Sequence, residues 1–365
     1  MKICVLFVEP MRYGLELIED VYKKTEHEFK YIYIQDHEVS DKELKVPENS
    51  IILNGNSIEK CNRLVNELIS FNPEFMIING YVGREQESAI RYCKKNRIPY
   101  AIESDTPLRI PSNPLKAAIK KILLNKRLNN KLCYGFAGGT PQKENFIYYG
   151  ISEDRCFIMP MSVSKKRFEE EVNKLPAKEE LKKDNNLTDK KVFLYAGRLA
   201  EEKNVELLLK AFKKIEAKDA ALLILGAGAE NADLIAYVSK NQMQNVYFKG
   251  HVFFPEIVKY YKMADCFVLP SKAEPWGLVV NEAMSVGLPV ILSSAVGCAK
   301  DLLKDNKNGF FFESENEEDL VKCFKSAMAA DLHQMGEESK RIIEGWGMDN
   351  YLKAFNEAIE VISRR

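Results

Sequence analysis

Short apolar runs rich in β-formers alternate with amphipathic helical stretches along this chain, and they do so in two successive series. Residues 3–8 form such a run, followed by Glu9, Pro10 and Gly14 and then by a helix-like stretch with Leu17, Ile18 and Val21 on one stripe. Residues 29–34, 50–53, 75–78 and 100–102 repeat the strand pattern, most of them separated by amphipathic stretches such as 58–69 and 85–95. Strands alternating with helices imply a parallel sheet covered by helices on both faces. A strand at 156–159 leads into 169–189, a stretch so rich in Lys, Glu and Asp that it reads as an interdomain linker plus an exposed helix. The second series then runs through 191–196, 220–225, 245–248, 265–269, 289–293 and 309–312. The predicted fold class is α/β, with two doubly wound Rossmann-like halves whose ligands lie outside the carboxyl ends of the strands.

Composition supports this and excludes other classes. A chain of 365 residues has room for two or three domains, and 53 basic residues balance 53 acidic ones, so nothing global points to nucleic acid. The longest apolar stretch, near 220–229, falls well short of the ~20 residues that span a bilayer. The chain reads as cytosolic. Its 8 cysteines include no C-x-x-C pair and read as buried, reduced thiols.

Three loops of the second half carry the chemistry. In the first, Arg198 and Lys203 flank the amino end of a helix with apolar positions Val205, Leu208, Leu209 and Phe212, for which Asn204 is the predicted N-cap. Cations beside free helix amides form a phosphate clamp, unless they are simply solvated loop charges. In the second, Glu282 is the only charged residue between Pro275 and Ala299. A carboxylate in so apolar a helix needs a partner, either a ribose diol or a structural one from the protein. Gly277 leaves room for a ligand at the start of that helix, and Glu274 stands just before it, positioned to accept from a polyol. The third loop holds Gly226 and Gly228, a truncated dinucleotide fingerprint that a tight strand-to-helix turn explains nearly as well.

In this order and spacing the loops resemble the retaining glycosyltransferases of family 4, which have the two-domain GT-B architecture, two Rossmann-like domains facing across a cleft. The match is best from about 191 to 312 and includes the family's pair of glutamates separated by seven residues, here Glu274 and Glu282. The resemblance implies domains at 1–168 and 169–345, with a terminal helix over 346–365, Trp346 included, that returns to the first. It implies that Arg198 and Lys203 hold the diphosphate of a nucleotide sugar, with an amide of Gly14 from the other domain, and that Glu282 binds the ribose. Glu274 would contact the transferred sugar, and Gly277, Leu278 and Val279 would present amides to the phosphates or sugar. Gly226, Gly228 and His251 would lie near the nucleotide. The implied donor is a nucleoside diphosphate sugar, with uridine as the guessed base, and the acceptor is a glycan or lipid-linked molecule of a surface glycan or glycolipid pathway.

One departure stands out. Many members carry a histidine after the strand at 100–102, whereas this chain reads Glu103, Ser104, Asp105, and its four histidines, His27, His37, His251 and His333, lie elsewhere. Asp105 is the nearest match, with Glu103 alongside, and either carboxylate could orient an acceptor hydroxyl; a strand-end Asp capping its turn is the plain alternative. No Asp-x-Asp occurs, so no metal is expected on the diphosphate. A sugar-nucleotide epimerase on the same architecture and a non-catalytic nucleotide-sugar-binding protein are the competing readings.

From Thr106 to Lys143 there is no acidic residue, while Arg109, Lys116, Lys120, Lys121, Lys126, Arg127, Lys131 and Lys143 are all basic. Leu115, Ala118, Ile119, Ile122 and Leu123 recur within this stretch at helical spacing. Such a basic amphipathic helix suits transient contact with the inner membrane face, an anionic soluble acceptor, or an ordinary surface position with its apolar stripe packed on the sheet.

Overall fold

A computed structural model describes residues 1–36 and 45–364, leaving His37 outside the described residues. It divides into two compact units, residues 1–162 with 347–365, and residues 163–346. The division falls at Ser162, six positions before the boundary read from the sequence.

The first unit holds strands β1 (Lys2–Phe7), β2 (Glu28–Tyr33), β3 (Ser50–Ile52), β4 (Phe75–Asn79), β5 (Tyr100–Ser104), β6 (Cys133–Ala137) and β7 (Cys156–Ile158). They form one parallel sheet in the order β3-β2-β1-β4-β5-β6-β7. Its helices are α1 (Arg12–Asp20), α2 (Ser57–Phe71), α3 (Arg84–Asn96), α4 (Pro114–Leu128) and α5 (Thr140–Tyr148). Side chains alternate across β1: Cys4 and Leu6 enter the core that holds Leu64, Leu68 and Phe146, while Ile3, Val5 and Phe7 enter the core on the other face. Apolar residues on both faces are what a parallel strand covered on both sides requires.

The second unit contains α6 (Lys165–Lys174), α7 (Lys178–Asp184), α8 (Val205–Lys214), α9 (Asn231–Lys240), α10 (Ile257–Met263), α11 (Leu278–Ser285), α12 (Ala299–Leu302), α13 (Glu317–Ala329) and α14 (Leu332–Glu344). Its strands are β8 (Lys191–Ala196), β9 (Ala220–Leu225), β10 (Val246–Gly250), β11 (Cys266–Leu269), β12 (Val290–Ser293) and β13 (Gly309–Phe312). They run parallel in the order β10-β9-β8-β11-β12-β13, the doubly wound arrangement with its reversal between β8 and β11. The last helix, α15 (Met348–Ser363), belongs to the first unit, where Tyr351, Phe355, Ile359 and Ile362 enter the core beside Phe7 and Tyr22.

Residues 169–189 are not a linker. They lie within the second unit, Leu181 is buried, and Lys178 and Lys182 each bond one oxygen of Asp265, at 2.6 and 2.7 Å. Burial pushes the Asp265 pKa up, but Lys178 and Lys182, together with the Val192 amide, outweigh it and hold the carboxyl below its ordinary value. The charged stretch thus carries its own counterions for a half-buried acid, which a count of charges along the chain does not reveal. All 8 cysteines are unpaired, and most are buried.

Candidate active site

The reversal of strand order in the second unit brings together the loops after β8 and β11. The first passes through a short 3-10 turn, Glu201–Lys203, and enters α8 with Asn204 in the left-handed conformation at φ 54°. Asn204 occupies the N-cap position, but its side chain makes no capping bond, contrary to the reading from sequence; its tolerance of positive φ is what the turn uses. That geometry sends the Lys203 side chain inward to the carboxylate of Glu274. The pair is nearly sealed, with the two side chains 13% and 11% exposed.

Backbone bonds fasten the same two loops. The Glu202 carbonyl accepts from the Lys272 amide at 2.9 Å and the Ala273 amide at 3.3 Å, and Lys272 also meets the Glu201 carboxylate at 2.9 Å. Glu274 is further held as a bridge to Val296, its carbonyl accepting from Gly297 at 3.0 Å. Arg198 differs from Lys203: its side chain is 75% exposed and pairs with Glu202 at 2.8 Å, while the Tyr195 hydroxyl donates to its carbonyl at 2.7 Å. The two cations of the predicted clamp are therefore unlike, one locked and one standing in solvent.

The glycine loop braces this arrangement. A Cβ on Gly226 would lie 1.8 Å from the Gly197 carbonyl oxygen, and one on Gly228 would lie 2.2 Å from that of Leu199. The Leu199 amide donates to Ala227, and the Glu230 amide donates back to Leu199, both at 3.0 Å. Close backbone approach accounts for both glycines. Beyond them, one Glu230 carboxylate oxygen is buried without a partner, and burial raises its pKa.

Gly277, at φ 98°, is the N-cap of α11, and its left-handed backbone turns the chain from Trp276 into the helix. The Leu278 and Val279 amides occupy the first turn, where helix amides have no intrahelical acceptor. Trp276 is buried, its indole donating to Asn281 at 2.9 Å and its ring centroid 5.1 Å from that of Trp346. Glu282 is half-buried and accepts from the Tyr261 hydroxyl at 2.7 Å. The partner that the apolar helix demanded is thus a phenol on α10. Burial holds the Tyr261 pKa well up, so the hydroxyl stays a donor. His251 is exposed after β10, its ring 4.2 Å from that of Phe253.

In the first unit a cavity of about 890 Å³ opens at the carboxyl ends of the strands. Gly14 lines it, inside the first turn of α1 rather than in the loop expected from the sequence. Glu103 and Asp105 line the same cavity in different states. Asp105, the residue matched to the family histidine, is exposed. Glu103 is buried, accepting from the Tyr351 hydroxyl and the Asn79 amide, both at 2.6 Å. Burial raises its pKa, and these two donors restrain the rise. Tyr351 and Asn79 escape a sequence reading because they reach Glu103 from 248 and 24 residues away.

Residues 177–345, nearly the whole second unit, match the family model of glycosyl transferases group 1. Among relatives, an uncharacterised glycosyltransferase of Methanocaldococcus jannaschii is 34% identical over 45% of this chain and 38% of its own length. Mannosylfructose-phosphate synthase of Agrobacterium fabrum is 26% identical over 67% of this chain and 57% of its own length. The matches thus span well under two thirds of either relative. Anabaena HepE, solved in complex with UDP, superposes with a TM-score of 0.80 at 16% identity over 99% of this chain and 100% of its own. At that identity the likeness concerns the fold, two Rossmann-like domains of the GT-B class.

Proposed function

We propose that the protein is a retaining, metal-independent glycosyltransferase of family 4 that moves a sugar from a nucleoside diphosphate donor, uridine-linked, to a glycan or lipid-linked acceptor. The observation that carries this reading is the Lys203–Glu274 pair, which joins two loops at the strand-order reversal of the unit that matches group 1 glycosyl transferases. There Lys203 and Arg198 face the diphosphate, Leu278 and Val279 offer amides, Glu274 holds sugar hydroxyls and Glu282 the ribose. His251 and the Gly226 loop border the nucleotide.

The anomeric C–O bond breaks with its electron pair passing to the phosphate oxygen. The acceptor oxygen attacks from the same face, and its proton passes to the departing phosphate. Positive charge grows on the sugar while negative charge grows on the phosphate, so fixed cations and amides stabilise the transition state more than the bound donor. Asp105, exposed at the cavity of the first unit, orients the acceptor hydroxyl. The basic face of α4 contacts an anionic leaflet. Among the described residues no helix is long and apolar enough to cross a membrane.

The test is incubation of the purified protein with a panel of nucleoside diphosphate sugars and candidate acceptors, with the anomeric configuration of the product read by NMR. Retention of configuration supports the reading; inversion, or release of a free epimerised sugar, overturns it.

A further inference from the structure

The apolar stripe of α4 is not turned to the sheet. Leu124 and Leu128 hold the helix to the core of the first unit, whereas Leu115, Ile119, Ile122 and Leu123 are 70%, 49%, 68% and 62% exposed. Helices of water-soluble folds ordinarily bury such a stripe, and a contiguous exposed one marks a binding surface. Ile119, Leu123 and Leu124 also line the cavity, together with Phe7, Met11 and Val82. The apolar strip thus runs continuously from the cavity onto the open face of the helix.

Lys116 and Lys120 line the same cavity, within the stretch from Thr106 to Lys143 that has no acidic residue. Deeper in, Asn79 Oδ1 is a buried acceptor without a partner, beside a Glu103 whose carboxylate oxygens are both engaged. A ligand hydroxyl would satisfy that acceptor. A free glycan would leave the apolar wall wet, and inorganic phosphate would use only the lysines. The combination fits a molecule with an apolar chain, an anionic head and a hydroxyl.

We infer that this cavity receives an anionic amphiphile, a lipid phosphate whose chain lies along Ile119 and Leu123 and whose head group meets Lys116 and Lys120. Its role as the acceptor rests on the glycosyltransferase reading above.

Calorimetric titration of the full chain with decyl phosphate, below its micelle concentration, tests the inference. The neutral decyl glucoside and inorganic phosphate serve as comparison arms, and UDP is titrated into the same samples. Saturable binding of decyl phosphate is expected, at least about tenfold weaker for the Ile119→Asp/Leu123→Asp variant, and several-fold weaker for Lys116→Gln/Lys120→Gln or for decyl glucoside. Circular dichroism of the Asp variant checks that it is folded. No saturable binding by wild type, equal binding by the variants, or equally tight binding of inorganic phosphate overturns the inference. UDP bound while decyl phosphate is not sinks this inference and leaves the glycosyltransferase reading standing; decyl phosphate bound while UDP is not does the reverse.

Discussion

The ammonium of Lys203 is bonded to the carboxylate of Glu274, 71 residues further along the chain, with both side chains nearly sealed from solvent. Removing one partner leaves a buried, uncompensated charge, which costs about 3–5 kcal/mol. Lys203→Ala and Glu274→Ala are each expected to lower stability on that scale, and the double variant by much less than their sum. Urea unfolding of the four proteins measures the coupling. Additive losses would show that the pair does not act as a unit.

Arg198 separates function from stability. With its side chain 75% exposed and tied only to nearby groups, Arg198→Ala should leave stability within about 0.5 kcal/mol. Turnover should fall roughly 10²- to 10³-fold, the scale of losing one preorganised donor to the transition state. Steady-state kinetics beside thermal unfolding checks both. Turnover within a few-fold of wild type removes Arg198 from the phosphate clamp.

How much of this was legible in the sequence depends on how far apart the partners lie. Strands β8, β9 and β13 match the apolar runs residue for residue, because a buried parallel strand writes itself as a short, nearly continuous apolar run. Strand β6 goes unread, its five residues broken by Gly135. The loops around Arg198, Gly226 and Glu274 were legible because glycines and charges punctuate strand ends. The bond between Lys203 and Glu274 was not, since only the strand-order reversal brings those loops together. The misreading of 169–189 has the same cause: Lys178 and Lys182 look solvated until Asp265 arrives from more than eighty residues away.

Glu103 should make stability fall as pH rises. Burial raises its folded pKa above the ordinary carboxylate value. Its contribution is therefore complete below that ordinary value and is lost as pH climbs through the folded pKa. Glu103→Gln removes the titration, and its amide can donate to the orphan Asn79 Oδ1 once Asn79 turns over. The variant should melt higher than wild type at pH 7, with the difference closing towards pH 4. Melting curves across that range decide, and a variant less stable at every pH would contradict the role of burial.

Membrane contact through α4 has a sharper test than charge counting allows. Arg127 points inward, donating to the Tyr81 carbonyl and to Glu87, so it is left intact. Lys116, Lys120, Lys121 and Lys126 are changed to Gln. At about 1 kcal/mol per basic residue near an anionic surface, wild type should sediment with phosphatidylglycerol-rich vesicles at low salt and be released at high salt. The fourfold variant should stay in the supernatant. Equal pelleting of the two proteins would refute electrostatic docking.

In the proposed function the second unit holds a nucleoside diphosphate sugar and cleaves its anomeric bond without a metal ion. Release of UDP from a panel of UDP-sugars, followed with and without EDTA for wild type and Arg198→Ala, is the decisive measurement. The expected result is release by wild type that EDTA does not diminish and that falls roughly 10²- to 10³-fold in the variant. Release abolished by EDTA and restored by manganese or magnesium, or no release from any donor, would contradict it.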